Sequence, residues 1–350
     1  MTSSLGSATP PDAPHALGVG SSGTVATSPW LSGKRRVLLL PELGLPLIIL
    51  ALGVFLTLES EYFFSWQNFM NITDAVAYVG IAAAFATIVV IAGGIDLTPV
   101  TVAVMVGIVC SQALDAGIPV PVAIVLALLV AIGIGLLNGL LISLINLNSF
   151  IVTLATNFLF TGIAYVITDG QSNLIEDTGF TSIFQSKIFL DIPTTTVAFL
   201  IAVAAVFYLL RFTKFGTYVF AVGGSESAAH LSGVPVRRIK LQLYVLAAFG
   251  SGVAGIVLAS KSGAVAAYSA TGANDLLTIL AAVIIGGTAL LGGRGSVIGT
   301  SFGIILLGMI ANGLVLLNIS SFYQPVVTGV VLLLALILDE IRRRVTLAAG

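Results

Sequence analysis

The sequence predicts an all-α polytopic membrane protein of about ten transmembrane helices, and three observations carry that prediction. Hydrophobic residues make up 57% of the chain and charged residues only 8%, at a mean hydropathy of +1.12. A soluble domain carries about 25% charged residues, so no water-facing shell can be built from so few. Apolar tracts of about 17–22 residues, the length a bilayer core demands, recur along the chain. Basic residues cluster on alternate connecting segments.

Taken in order, the spans are expected near 37–58, 74–92, 98–114, 119–137, 150–168, 194–210, 241–260, 275–291, 296–317 and 321–338. Backbone groups in lipid must find partners within their own segment, which makes these tracts helices. Barrel strands would instead alternate over about ten residues. Residues 1–36 are Ser/Thr/Gly/Pro/Ala-rich up to the Lys34-Arg35-Arg36 triplet and read as a disordered tail. A signal peptide is the rival reading of that triplet, but the apolar run behind it continues to Leu58, long enough to span. The membrane domain is then 37–340, and 341–350 form a basic tail.

Charge sets the orientation. With ten spans and the N-terminus inside, the inner segments hold Lys34, Arg35, Arg36, Arg211, Lys214, Arg237, Arg238, Lys240, Arg294 and Arg342 to Arg344. Lys187 and Lys261 alone fall outside, so 12 of the 14 basic residues share one side. Both termini are expected in the cytoplasm. The outer loop 169–193 is acidic, with Asp169, Glu176, Asp177 and Asp191 against Lys187. It reads as a receiving surface for an external partner or as a plain connector.

Catalysis by this chain is not expected. Two His and one Cys, Cys110, cannot build a nucleophilic or metal constellation, and no G-x-x-x-x-G-K-[ST] phosphate loop occurs. The net charge of -1 says nothing about nucleic acid by itself, and no nucleic-acid partner is expected.

The polar stretch "GGSESAAHLSGVPVRRIK", Gly223 to Lys240, interrupts this apolar chain in the inner loop 216–240. Ser225 is placed to cap a helix whose first residue, Glu226, suits the positive end of the dipole. Gly233 supplies a left-handed stop and Pro235 prevents continuation, leaving about two turns over Glu226–Ser232. Ala228 and Leu231 share a face, with Ala229 placed beside them. A helix this short is unstable alone in water and must dock. It docks either on the inner surface of its own chain or in a groove of a cytoplasmic partner.

Three stretches in order carry a resemblance: this loop, "AGGIDLTPV" at Ala92–Val100, and "IIGGTALLGGRGSVIGTSFG" at Ile284–Gly303. The chain is similar, from about residue 40 to 344, to the permeases of bacterial ATP-binding-cassette importers of the ribose/xylose/arabinose class, which include autoinducer-2 permeases. One departure is Thr98-Pro99-Val100, where that family usually has Ser-Val-Gly. The resemblance implies a cobalamin-importer-like (type II) architecture in the inner membrane. It implies a second permease subunit, two cytoplasmic ATPases that bind ATP and magnesium, and an external solute-binding protein. It further implies that Glu226, Ala228, Ala229, Leu231, Gly233 and Arg237 contact the ATPase.

Read physically, Gly93-Gly94 and Gly286-Gly287 each end an apolar helix. Asp96 is expected to cap span three, and Thr288 follows the second glycine pair. Gly292-Gly293-Arg294-Gly295-Ser296 reads as a tight turn with Ser296 a cap. Arg294 is open to lipid phosphate, a neighbouring carbonyl or the partner ATPase. Gly135/Gly139 and Gly299/Gly303 are spaced for close helix contact. Ionisable residues are nearly absent from the spans: Glu42, Asp74 and Asp275 lie near span ends. That weighs against an ion-coupled carrier, the first alternative, which needs buried relays. A non-transporting membrane scaffold or receptor is the second. Asn148, Asn157, Asn312 and Gln324 remain as candidates to line a path for a neutral, hydroxyl-rich solute, each with helix–helix hydrogen bonding as the competing role.

Overall fold

A computed structural model describes residues 41–267 and 273–347; the expected tail at 1–36 and the side chains of Glu42 and Arg342 to Arg344 lie outside the described residues. Thirteen α-helices follow one another in it: α1 Pro41–Glu59, α2 Trp66–Ile91, α3 Pro99–Asp115, α4 Val120–Ser143, α5 Ser149–Thr168, α6 Thr178–Gln185, α7 Thr194–Phe212, α8 Lys214–Gly224, α9 Glu226–Leu231, α10 Val236–Ser262, α11 Ala273–Ile285, α12 Val297–Leu316 and α13 Gln324–Leu347. Six of them (α2, α4, α5, α7, α10 and α12) are long and apolar enough to cross a membrane, and α1, α3, α11 and α13 supply shorter apolar segments. These ten coincide with the ten expected spans.

The ends differ where polar residues extend a helix beyond its apolar tract. α2 starts at Trp66 rather than 74, capped by Ser65, whose hydroxyl accepts from the Asn68 N–H. α10 starts at Val236 rather than 241, because Arg237, Arg238 and Lys240 continue it as a polar first turn. α11 stops at Ile285, before the glycines, rather than at 291. α13 runs on to Leu347, through most of what reads as a basic tail. Hydropathy sees the apolar centre of a helix and not its hydrated extension.

α2 and α10 form the buried centre. From Ala77 to Ile91 every residue of α2 except Tyr78 is buried, and α10 packs on α2, α3 and α4. Small residues allow this approach. A Cβ on Gly135 would lie 2.7 Å from the Tyr244 carbonyl oxygen, and one on Gly139 would lie 3.0 Å from that of Leu241. The second pair works the same way between α12 and α11, where a Cβ on Gly303 would meet the Ala282 carbonyl at 2.4 Å. Both spaced glycine pairs are therefore helix contacts, as the sequence predicts.

At one end of the bundle the 169–193 segment is structured rather than a loose loop. Strand β1 (Ser172–Leu174) pairs antiparallel with β2 (Ala264–Ala266), and Asp177 caps α6 by accepting from the Phe180 N–H at 2.9 Å. Beside it Lys261 on α10 pairs with Asp74 of α2 at 2.9 Å, and Thr195 on α7 donates to the same carboxylate. Asp74 thus lies two turns inside α2, where the polar extension of the helix meets its apolar tract.

Gly303→Val tests the close contact of α11 with α12. Its side chain cannot fit against the Ala282 backbone, so the helices must separate; overpacking of this kind costs about 1–3 kcal/mol. Thermal unfolding in detergent should show a clear drop in midpoint, whereas Gly133→Ala, whose Cβ meets nothing within 4 Å, should not.

Candidate functional site

The opposite end of the bundle gathers the sequence motifs. Two helices, not one, follow α7. Thr213 ends α7 and caps α8 by accepting from the Gly216 N–H at 3.3 Å. A Cβ on Gly216 would lie 2.1 Å from the Leu210 carbonyl oxygen, which is how the chain turns sharply there. α8 is not foreseen by the sequence reading, which has Gly223-Gly224 releasing the chain directly. Ser225 then ends α8, its N–H on the Ala221 carbonyl, and starts α9, its hydroxyl accepting from the Ala228 N–H at 3.3 Å. Gly233 closes α9 at φ +81°, with the Val234 N–H on the Ala229 carbonyl at 3.0 Å.

α9 has two faces, and this corrects one expectation. Ala229 does not lie beside Ala228 and Leu231; it is buried on this chain, only 4% exposed. With about 100° per residue, Ala229 and Leu231 stand nearly opposite each other. Val234, Val236 and Ile239 continue the buried side into the core shared with Val219 and Val222. Leu231 is 88% exposed, and Glu226, Ala228, His230, Arg237 and Arg238 are also exposed. Glu226 has a further task beyond the helix dipole: Lys240 Nζ lies 2.7 Å from each of its carboxylate oxygens. That pair ties the start of α9 to the first turn of α10. Both roles weighed for the loop are thus geometrically available, on opposite faces.

Behind α8 the three glycine motifs meet. The Gly293 N–H donates to the Ile91 carbonyl at 2.8 Å, linking the α11–α12 turn to the end of α2. A Cβ on Gly223 would lie 1.9 Å from that same carbonyl oxygen and 2.6 Å from the Gly293 nitrogen. A Cβ on Gly292 would lie 2.8 Å from the Gly93 nitrogen and 2.9 Å from the Gly223 oxygen. Gly93, Gly292 and Gly293 also have positive φ, where only glycine sits without strain. The turn is closed by Ala289 N–H to the Arg294 carbonyl at 3.0 Å, and Ser296 caps α12 as expected. The Arg294 side chain is exposed and forms no ion pair among the described residues. Thr288 is buried with its hydroxyl unpartnered among the described residues, tight against Gly295.

Asp96 is a correction of detail. It is buried, and its Oδ1 accepts from the N–H and hydroxyl of Thr98 at 2.8 and 2.6 Å. It therefore braces the residue before α3 rather than capping free N–H groups inside that helix. Burial pushes its carboxyl above the ordinary carboxylate range, while the Thr98 bonds pull it back. The loop it stands in is held by α5. Ser149 accepts from the Ile95 N–H at 3.2 Å, Thr153 donates to the Ile95 carbonyl at 3.4 Å, and Asn157 donates to the Leu97 carbonyl at 2.6 Å. Ser149, Thr153 and Asn157 are spaced by four, a polar stripe the sequence displays and the sequence reading did not single out.

The four path candidates do not converge. Asn148 caps α5, accepting from the Phe150 N–H at 2.9 Å. Asn157 serves the loop just described. Asn312 exchanges hydrogen bonds with Asn68 of α2 at 2.8 and 3.0 Å, and Gln324 is the exposed first residue of α13. Three of the four are occupied in holding structure.

Comparison with known proteins places the chain in a family. Residues 68–336 match the family model described as the permease component of branched-chain amino acid transport systems. A ribose import permease protein of Bacillus subtilis is 36% identical over 302 residues, 86% of this chain and 92% of that protein. The ribose import permease protein of Escherichia coli K12 is 32% identical over 325 residues, covering 90% and 99% of the two chains. An L-arabinose transporter permease protein of Azospirillum brasilense is 32% identical over 300 residues, covering 86% and 88%. No solved structure gives a significant match. The chain belongs to this family of transport permeases and is a multi-pass membrane subunit of an ATP-binding-cassette importer.

Proposed function

We propose that the chain forms the path for a neutral sugar and is driven by a separate cytoplasmic ATPase that seats on the exposed face of α9. The observation that carries this reading is the two-faced helix: Ala229 anchors it, and Leu231 is left 88% exposed. Leu231 stands out on a short helix whose other face is fixed to this chain, beside exposed Ala228, which gives a partner a shaped apolar contact. The relatives named for ribose and L-arabinose support a sugar as cargo. The distribution of basic residues supports cytoplasmic termini and a cytoplasmic glycine junction. ATP and magnesium belong to the partner, a second permease subunit completes the path, and an external binding protein delivers solute.

The glycine junction gives the mechanism a route. An ATPase that closes on α9 moves α8 with it, because Ser225 belongs to both helices. α8 bears on the Ile91 carbonyl and on Gly293, so the movement reaches α2 and the α11–α12 turn without a flexible side chain between them. Ala228 borders Leu231 on the contact face and exposed Arg237 follows on α10, whereas Glu226, through Lys240, and Ala229 and Gly233 set the pose of the helix. Residues 216–240 thus act as a coupling segment of the membrane domain 37–340.

Two outcomes are expected in proteoliposomes holding the complete complex and binding protein. Leu231→Asp should leave thermal stability unchanged and weaken capture of the ATPase about 30-fold, the loss of roughly 2 kcal/mol for one buried leucine. Ala229→Arg should instead destabilise the loop itself. Gly223→Ala should retain ATPase binding but lose solute-stimulated hydrolysis, because its methyl group cannot occupy the junction. Wild-type coupling in both Leu231→Asp and Gly223→Ala would reject this reading. So would uptake driven by a proton or sodium gradient without ATP, and failure to move any of a panel of pentoses, hexoses, polyols and leucine would favour a scaffold.

A further inference from the structure

The exposed face of α9 is small for the partner that seats on it. A stable interface takes about 800 Å² and roughly 20–30 residues from each side, whereas α9 has six residues and buries Ala229 on its own chain. Neighbouring surface has to complete the footprint. The α11–α12 turn lies against the start of α9 at backbone distance. A Cβ on Gly293 would lie 3.1 Å from the Gly224 Cα, and Ser225, the next residue, starts α9.

That turn presents an apolar and a charged side chain outward. Leu291 is 83% exposed, and Leu290 beside it is also exposed. Arg294 is exposed and in no ion pair among the described residues, while its carbonyl closes the turn on the Ala289 N–H at 3.0 Å. The backbone beneath Leu291 is fixed. The Gly292 N–H donates to the Ala289 carbonyl at 2.9 Å, and the Gly293 N–H to the Ile91 carbonyl at 2.8 Å. Leu291 is therefore held out from a clamped turn as Leu231 is from a clamped helix.

The two leucines lie within reach of one partner. Leu291 to Gly293 and Gly224 to Glu226 span at most about 7 Å each, and α9 rises about 8 Å, so Leu231 and Leu291 are at most about 27 Å apart. An interface of about 800 Å² is a disc about 30 Å across. Charge around them has one sign: Arg237, Arg238 and Arg294 are exposed and unpaired among the described residues, and the one acid of α9 and the two flanking segments, Glu226, is taken by Lys240. Because the turn touches the start of a helix carrying Ser, Glu and His, it stands in water rather than among acyl chains.

We infer that the α11–α12 turn is a second seat for the ATPase, with Leu291 entering an apolar depression and Arg294 pairing with a carboxylate on the partner's rim. This rests on the reading of α9 above and extends the same interface. Seated on both, the partner grips the two segments that the contact of Gly223 with Gly293 already joins.

The test places photoreactive benzoylphenylalanine at Leu231, at Leu291 and at Phe189, exposed at the other end, in the complete complex in proteoliposomes, with adducts identified by mass spectrometry. Leu231 and Leu291 should both give the ATPase, and Phe189 should not. Leu291→Asp should weaken ATPase capture about tenfold, the loss of one apolar contact. Arg294→Gln should slow association and flatten its salt dependence with little change in dissociation, which an arginine serving only the turn would not do. Thermal midpoint reports whether each variant keeps its fold; where one does not, the crosslinks decide. Lipid adducts or none at Leu291, with the ATPase on Leu231, would overturn the second seat and leave the α9 reading standing. Wild-type capture and salt dependence in both folded variants would overturn it equally, and no ATPase adduct at either leucine would overturn both readings.

Discussion

One contact holds the functional end of this molecule together: the hydrogen bond from the Gly293 N–H to the Ile91 carbonyl, with Gly223 pressed against both groups. Three chain segments far apart in sequence approach there at backbone distance. No side chain could mediate this, because any Cβ on Gly223 would occupy the space of the carbonyl oxygen. The consequence is mechanical. A side-chain contact can yield by changing rotamer, whereas backbone against backbone transmits displacement.

The loop beyond the junction is held in one pose by two contacts, which suits the coupling role proposed for it. The Glu226–Lys240 pair fixes the start of α9 against α10, and Ala229 seals its inner face. The pair is too exposed to contribute much stability, about 1 kcal/mol or less. Its value lies in orientation, since a six-residue helix has almost no rigidity of its own. The α5 stripe does the corresponding job behind the loop at 92–98, so that the start of α3 and the end of α2 are held together.

Much of this was legible in the sequence for physical reasons. Ten apolar tracts are visible because lipid requires continuous apolar surface, and the caps at Ser225 and Ser296 and the stop at Gly233 follow from local chemistry that tertiary contacts do not override. What escaped notice depends on packing. The side on which Ala229 falls could have been read from the 100° step per residue, but that Ala229 rather than Leu231 faces inward is decided by the pocket that Val219 and Val222 offer. α8 was hidden because Lys214-Phe215-Gly216 looks like an exit from the membrane, and only the close contact of Gly216 with the Leu210 backbone reveals a turn into a second helix. Asn157 and Asn312 stand in the sequence as candidates either for the path or for hydrogen bonds between helices, and it is packing that puts them in the second role. Asp275, expected near a span end, stands in the first turn of α11.

The central claim is that α9 and the α11–α12 turn move as one body. Spin labels on Leu231 and Leu291, both strongly exposed, would report their separation by pulsed electron resonance in the complete complex, before and after trapping the ATPase closed. The account predicts an unchanged Leu231–Leu291 distance, while the distance from Leu231 to exposed Phe189 at the other end changes by several ångströms. A Leu231–Leu291 distance that shifts on trapping, with Leu231–Phe189 constant, would contradict it.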